Sequence, residues 1–299
     1  MPENKKLPVF LRATVLVLAP LWLGGQQDRP AQYQQQPAAL EMHKITEHVY
    51  EIRGGSGANA GLIATDTEAL IVDAKMSMES ARDMLKAAKD VTDLSVTKLL
   101  ITHSDGDHVN GIPGIPDDID LYVHGNSLKY LGEVFRSQND EGRRTGHTFS
   151  HRLEIISGSL NVQMLHFGPA HTEGDAVIFI PQDKVAFIGD LLFIGRDPLI
   201  HKHKNGNSFG LVEVLNSILE LDAEVFLHGH GRPAGRSDIE EFVNALEEKQ
   251  AKIRALIEEG KSLEQIKAVF LVEDRPTQPG RAPRPSLVEI IYTEIKQTR

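Results

Sequence analysis

Between residues 99 and 111 the chain reads Leu-Leu-Ile-Thr-His-Ser-Asp-Gly-Asp-His-Val-Asn-Gly. His103, Asp105, Asp107 and His108 place four potential metal donors within six residues, directly after an apolar run that predicts the end of a buried strand. Imidazole nitrogen and carboxylate oxygen suit zinc, iron or manganese. Gly106 is expected to let the backbone turn so that neighbouring donors point at different ions. An isolated Asp-Gly-Asp reads as a surface turn. With His103 and His108 on either side of it, metal binding is the better reading.

Three further turns carry donors of the same kind. His171 stands in Gly168-Pro169-Ala170-His171-Thr172, Asp190 follows Phe187-Ile188-Gly189, and His230 lies in Gly229-His230-Gly231 beside a competing His228. Taken singly, His171 reads as a hydrogen-bonded structural histidine and Asp190 as a helix cap. All of them, however, follow apolar strand-like runs, and loops at one edge of a sheet converge in space. The repeated placement therefore predicts a metal cleft built from distant segments. The run His201-Lys202-His203-Lys204-Asn205 is basic and reads first as a solvated loop, with His201, Lys202, His203 and Asn205 in contact with substrate as the second reading. Arg143, Arg144 and His147 lie in a polar segment without period, expected to be a loop near the mouth of the site.

Residues 103–108 resemble the His-x-His-x-Asp-His motif of the metallo-β-lactamase superfamily, with Asp105 where most members carry a second histidine. His171, Asp190 and His230 follow in the order of its third, fourth and fifth motifs, so the resemblance covers residues 45–235. It implies an α/β fold, a four-layer αββα sandwich, with a dinuclear site at one edge. One cation would take His103, Asp105 and His171, the other Asp107, His108 and His230, and Asp190 would bridge them. Asp73 and His228 would lie behind these ligands, with Asp73 orienting one of them through hydrogen bonds. Two divalent ions are expected, zinc first, with iron or manganese as alternatives. They would lower the pKa of a bridging water toward neutrality and polarise a scissile carbonyl, with Asp107 orienting the nucleophile or carrying its proton. Hydrolysis of an ester, thioester, lactone, β-lactam or related bond is the expectation. A diiron oxidoreductase of the same fold also places a carboxylate at the position of Asp105, but no Gly-rich flavin-binding domain is seen. A non-catalytic metal-binding member is the remaining alternative.

Composition supports a small-molecule enzyme. The chain has 299 residues, 40% of them hydrophobic and 25% charged, with a formal charge of −10, which argues against a nucleic-acid face. With no cysteine, any transition metal must be held by His, Asp or Glu. Residues 1–25 carry Lys5 and Lys6, then Arg12, then an apolar run ending at Gly24-Gly25, which is the secretory pattern. A signal peptide or anchor at 1–25, a Gln- and Pro-rich tether at 26–40 and the catalytic domain at 41–299 are therefore expected. The protein would be periplasmic or secreted, touching a membrane only if the segment stays uncleaved. Oligomeric state is not legible.

Strands are expected at 49–52, 61–64, 69–73, 96–101, 121–124, 161–167, 176–180, 185–189 and 224–227. Helices are expected after Ser77, from Asn126 to about Phe135, between Leu211 and Leu221, from Ser237 or Asp238 to Glu259, after Ser262, and over 286–296.

Overall fold

The strand segments alternate two kinds of burial, and that alternation defines the layers. On β4 (Ala69–Val72), Ala69 and Ile71 face one apolar cluster while Leu70 and Val72 face another. On β10 (Val177–Ile180), Val177 and Phe179 face one side, Ile178 and Ile180 the opposite one. Successive side chains point to opposite faces, so a strand buried on both sides must read as a continuous apolar run. Three cores separate four layers.

The computed structural model describes residues 38–132, 146–272 and 284–297. Its first sheet has seven strands in sequence order: β1 (Glu41–Lys44), β2 (Val49–Arg53), β3 (Ala60–Ala64), β4, β5 (Val96–Leu100), β6 (Asp120–His124) and β7 (Gly146–Phe149). β1 to β4 form an antiparallel meander, and β4 to β7 run parallel. The second sheet has the order β12 (Val225–His228), β11 (Val185–Gly189), β10, β9 (Leu160–Leu165), β8 (Arg152–Ser157). There only β11 and β12 pair in parallel.

Helix α1 (Met78–Lys89), capped by the Ser77 hydroxyl accepting from Ser80 N, lays Ala81, Met84 and Ala88 on the outer face of the first sheet. Ile63, Leu100, Val162, Ile178 and Phe187 fill the space between the sheets. The outer face of the second sheet is covered by α4 (Ser208–Leu219), α5 (Arg236–Glu258), α6 (Leu263–Val269) and α7 (Leu287–Gln297). Two short helices, α2 (Gly106–Val109) and α3 (Gly125–Leu128), follow β5 and β6. This is the αββα sandwich.

Several expectations shift in detail. The segment 137–152 holds part of an edge strand, β7, whose residues alternate exposed and partly buried and so lack an apolar run. His147 stacks on Tyr122 with ring centres 4.4 Å apart and lies 3.7 Å from Asp120. Arg143, Arg144, the end of the helix expected to reach Phe135, and residues 1–37 lie outside the described residues. α4 begins earlier than expected because Asn207 caps it, accepting from Phe209 N and Gly210 N. For α5, Gly235 is the capping position, and the Asp238 carboxylate accepts from its N–H at 2.7 Å.

Within each sheet the strands that deliver chemistry run in one direction. β4 and β5 are parallel and end at Asp73 and at Thr102 and His103. β9, β11 and β12 share a direction, since β10 is antiparallel to β9 and β11 while β12 is parallel to β11. Their ends lead to His171, Asp190 and His230. The two rims meet at Gly189, whose φ of +49° is left-handed and where a Cβ would lie 2.8 Å from Thr102 Oγ1.

Candidate metal centre

Asp73, at the end of β4, organises the floor of the cleft. Its backbone has a φ of +62°, a conformation that costs a non-glycine residue about 1 kcal/mol or more and is held by its surroundings. One carboxylate oxygen accepts from Thr102 N at 2.8 Å; the other accepts from Thr102 Oγ1 and from His108 Nδ1, each at 2.7 Å. Because the Thr102 hydroxyl donates to Asp73, its oxygen accepts from His103 Nδ1 at 3.0 Å. Both rings therefore carry their proton on Nδ1 when neutral, and both present a bare Nε2 to the cleft.

The donors in α2 are spread by helical geometry, which corrects the role expected of Gly106. That residue is the first of the helix, and Asp105 precedes it as N-cap in extended conformation. Asp107 and His108 diverge because successive residues of a helical turn point about 100° apart, and Asp105 departs from both because it precedes the helix in extended conformation.

Three overlapping groups of donors result. Asp107, His108, Asp190 and His230 lie together, with their donor atoms within 4.8 Å of one another. Asp190 Oδ1 is 3.2 Å from His108 Nε2, and Asp190 Oδ2 is 3.1 Å from His230 Nε2, which also lies 3.2 Å from Asp107 Oδ2. His103, His171 and Asp190 form the second group, and Asp105, His171 and His201 an adjoining one that shares His171. Asp190 thus stands between the halves.

The arrangement fits divalent cations. His103 Nε2, His108 Nε2 and Asp190 Oδ1 are buried and make no hydrogen bond among the described residues. Two acceptors 3.2 Å apart, a bare imidazole nitrogen and a carboxylate oxygen, repel unless a proton or a cation sits with them. Gly229 leaves this space open, since a Cβ there would lie 2.2 Å from Asp190 Oδ1.

Titration follows the same field. Burial and the neighbouring His108 and His171 hold His103 well below its ordinary value, which keeps it a neutral ligand. Burial opposes charge on His108, but Asp73 and Asp190 outweigh it and hold the ring well above its ordinary value. His171 is also raised, to about 9, as Asp105 overcomes burial. Hydrogen bonds to Asp107 and Asp190 raise His230 to about 9. Burial pushes Asp107 and Asp190 up, yet the facing histidines hold both below the usual carboxylate range, Asp190 strongly so. The cleft is built to hold positive charge.

Asp105 is engaged on both oxygens. Lys204 Nζ donates to Oδ1 at 2.7 Å and to Ser104 O at 2.9 Å, and His201 Nε2 lies 2.6 Å from Oδ2. Burial opposes ionisation here too, but hydrogen bonds from His171 and His201 hold the carboxyl far below its ordinary range. The loop residues tested as substrate contacts therefore divide. His201 is buried in the cleft, and His203 is exposed with its ring 5.0 Å from that of His201. Lys202 turns to Glu294 on α7, and Asn205 Nδ2 donates to Glu173 Oε1. His228 is buried behind the rim.

Sequence reasoning gave no role to two lysines. Lys204 balances the charge of Asp105. Lys75 is buried with a φ of +65°, and its ammonium donates to Ala58 O. Burial pushes Lys75 down to about 8, with Asp73 and Asp107 pulling the other way. The mixture of a motif and a nearby basic run was the available signal for Lys204; for Lys75 there was none.

The sequence profile of the Metallo-beta-lactamase superfamily matches residues 53–230, the span that contains every donor just described, and the chain belongs to that superfamily. Among curated relatives, the atrochrysone carboxyl ACP thioesterase of Aspergillus chevalieri is 25% identical over 166 residues, covering 52% of this chain and 48% of the relative. The lactamase-like protein adaB of Aspergillus niger is 22% identical over 272 residues, covering 87% and 77%. The chain spans about half the length of the first two curated relatives it matches. Among solved structures, a metallo-beta-lactamase from Pontibacter korlensis superposes with a TM-score of 0.60 at 18% identity, over 70% of this chain and 99% of that one, a likeness of fold.

Proposed function

We propose that the protein is an exported, metal-dependent hydrolase of acyl bonds, with thioesters and esters as its substrate class. The observation that carries this reading is the meeting of bare, buried Nε2 and carboxylate atoms from His103, His108 and Asp190 at one rim, with His230 and Asp107 beside them. Two divalent cations, zinc first, would supply a water of lowered pKa and an electrophile for the carbonyl oxygen. Asp190 belongs to both donor groups: its two oxygens face His108 and His230 of one, and it lies with His103 and His171 in the other. Asp107, ionised and partly exposed, stands at the mouth to orient the attacking water and pass its proton to the leaving group. Asp73 fixes the tautomers on which the donor set depends. The thioesterase among the relatives supports thioesters ahead of β-lactams.

Chelation and reloading test the reading. Protein stripped of metal and reloaded with Zn2+ or Mn2+ is assayed against chromogenic thioester, ester, lactone, β-lactam and phosphoester substrates, with metal content measured by mass spectrometry. Turnover of a thioester or ester that vanishes on stripping and returns on reloading supports it. Two bound cations without hydrolysis, bound iron with visible absorbance and no hydrolysis, or no bound metal would each overturn it. Export rests on the basic and apolar residues of 1–25, and a mature N-terminus near residue 26 is expected from protein sequencing of the exported form.

A further inference from the structure

Asp105 takes the place of an imidazole, and the first half of the cleft is one nitrogen donor short. We propose that His201 restores that donor: with Asp105 and His171 it binds the first cation, so the loop after β11 is part of the metal centre. The inference rests on the reading that the cleft holds cations.

Geometry carries it. Lys204 donates to Asp105 Oδ1, while the other oxygen, Oδ2, has two imidazole nitrogens against it, His201 Nε2 at 2.6 Å and His171 Nε2 at 3.2 Å. Leu199 O accepts from His171 Nδ1 at 2.6 Å, so the neutral ring keeps its Nε2 bare toward that point. Leu199 is two residues before His201, so one strand of chain sets the tautomer of one donor and supplies another. His201 is 6% exposed, and its ring centre lies 4.7 Å from that of His171.

The loop that carries His201 is tied down along its length, as a ligand-bearing loop must be. His201 N donates to His171 O, and Gly206 N returns to His201 O, each at 2.9 Å. Lys202 bridges Gly206 O and Glu294, and Lys204 is anchored on Ser104 and Asp105. Asn207 N closes the turn on Ala170 O at 2.8 Å. A histidine serving only as hydrogen-bond partner to Asp105 would be redundant there, since Lys204 already neutralises the carboxylate. A third donor of a cation site would not be.

The test uses the whole protein labelled with 15N-histidine and loaded with 113Cd2+, in which a metal-bonded imidazole nitrogen shows a one-bond coupling to cadmium. Coupling is expected on His201 in addition to His103, His108, His171 and His230, with the His201 signal assigned by its loss in His201→Gln. In parallel, Zn2+ affinity is measured by competition with a chromophoric chelator. His201→Ala is expected to weaken the first site by at least about tenfold and to leave the Asp107, His108, His230 site within about twofold. Circular dichroism checks that the variant folds, and the coupling experiment needs no substitution at all for its count. Coupling on the other four histidines without His201 would overturn this inference alone. Absence of any coupling would overturn it together with the functional reading.

Discussion

The two halves of the cleft solve one problem with different donors. The half formed by Asp107, His108 and His230 draws on α2 and the end of β12, and its histidines face ionised carboxylates without any lysine bonded to them. The half around Asp105 and His171 carries a carboxylate in place of an imidazole, and Lys204 and His201 have been folded onto it from almost a hundred residues away. A carboxylate adds a negative charge and a harder oxygen donor, and the ammonium of Lys204 balances that charge at Oδ1 while Oδ2 faces the two imidazoles.

The largest effect is expected where the halves join. Asp190→Ala removes the carboxylate facing both groups and should lower hydrolysis on the order of a thousandfold, several kcal/mol of barrier, with both cation sites weakened. Retention of either site at full affinity would show the halves to be independent. Asp73→Asn comes next: it disturbs His108 directly and His103 through Thr102, so both affinities should fall by about 10–100-fold, with the His108 half falling further. An equal fall in both would shift the weight to Thr102.

Acidity sharpens the comparison, since each half contains a histidine raised from 6.5 to about 9, His171 in one and His230 in the other. In the metal-free protein their protonation stabilises the fold fully below about pH 6.5, and this contribution is lost as pH rises through about 9. The melting temperature of the stripped protein should therefore fall over that window while the loaded protein is spared that loss. Cation affinity should rise over the same window at both sites, because each cation displaces a proton. Smallest is Lys204→Met, expected to tighten divalent binding a few-fold at the Asp105 half alone by leaving that carboxylate unbalanced, as read by zinc competition.

The comparison also explains what the sequence could disclose. Strands buried on both faces read as apolar runs, so β4, β10, β11 and the apolar end of β5 were legible. The edge strands β1 and β7 were not, because their exposed and partly buried residues, such as Glu41 and His147, form no apolar run. His103, His108, His171, Asp190 and His230 stand at strand ends with chemistry that announces itself. His201 sits in a basic loop whose neighbours go different ways, Lys202 to α7 and Lys204 to Asp105, and only the folded loop separates them. The positive φ of Asp73 and Lys75 was invisible, since neither residue type by itself signals a left-handed backbone.

If these side chains grip the cations that make hydrolysis possible, turnover must track bound metal in a single titration. Stripped protein receives Zn2+ in steps while thioester turnover and bound metal per chain are read together. Turnover that is absent at the start and rises with bound metal to a plateau at two ions per chain is the result the account predicts. Full turnover by the metal-free chain would contradict it.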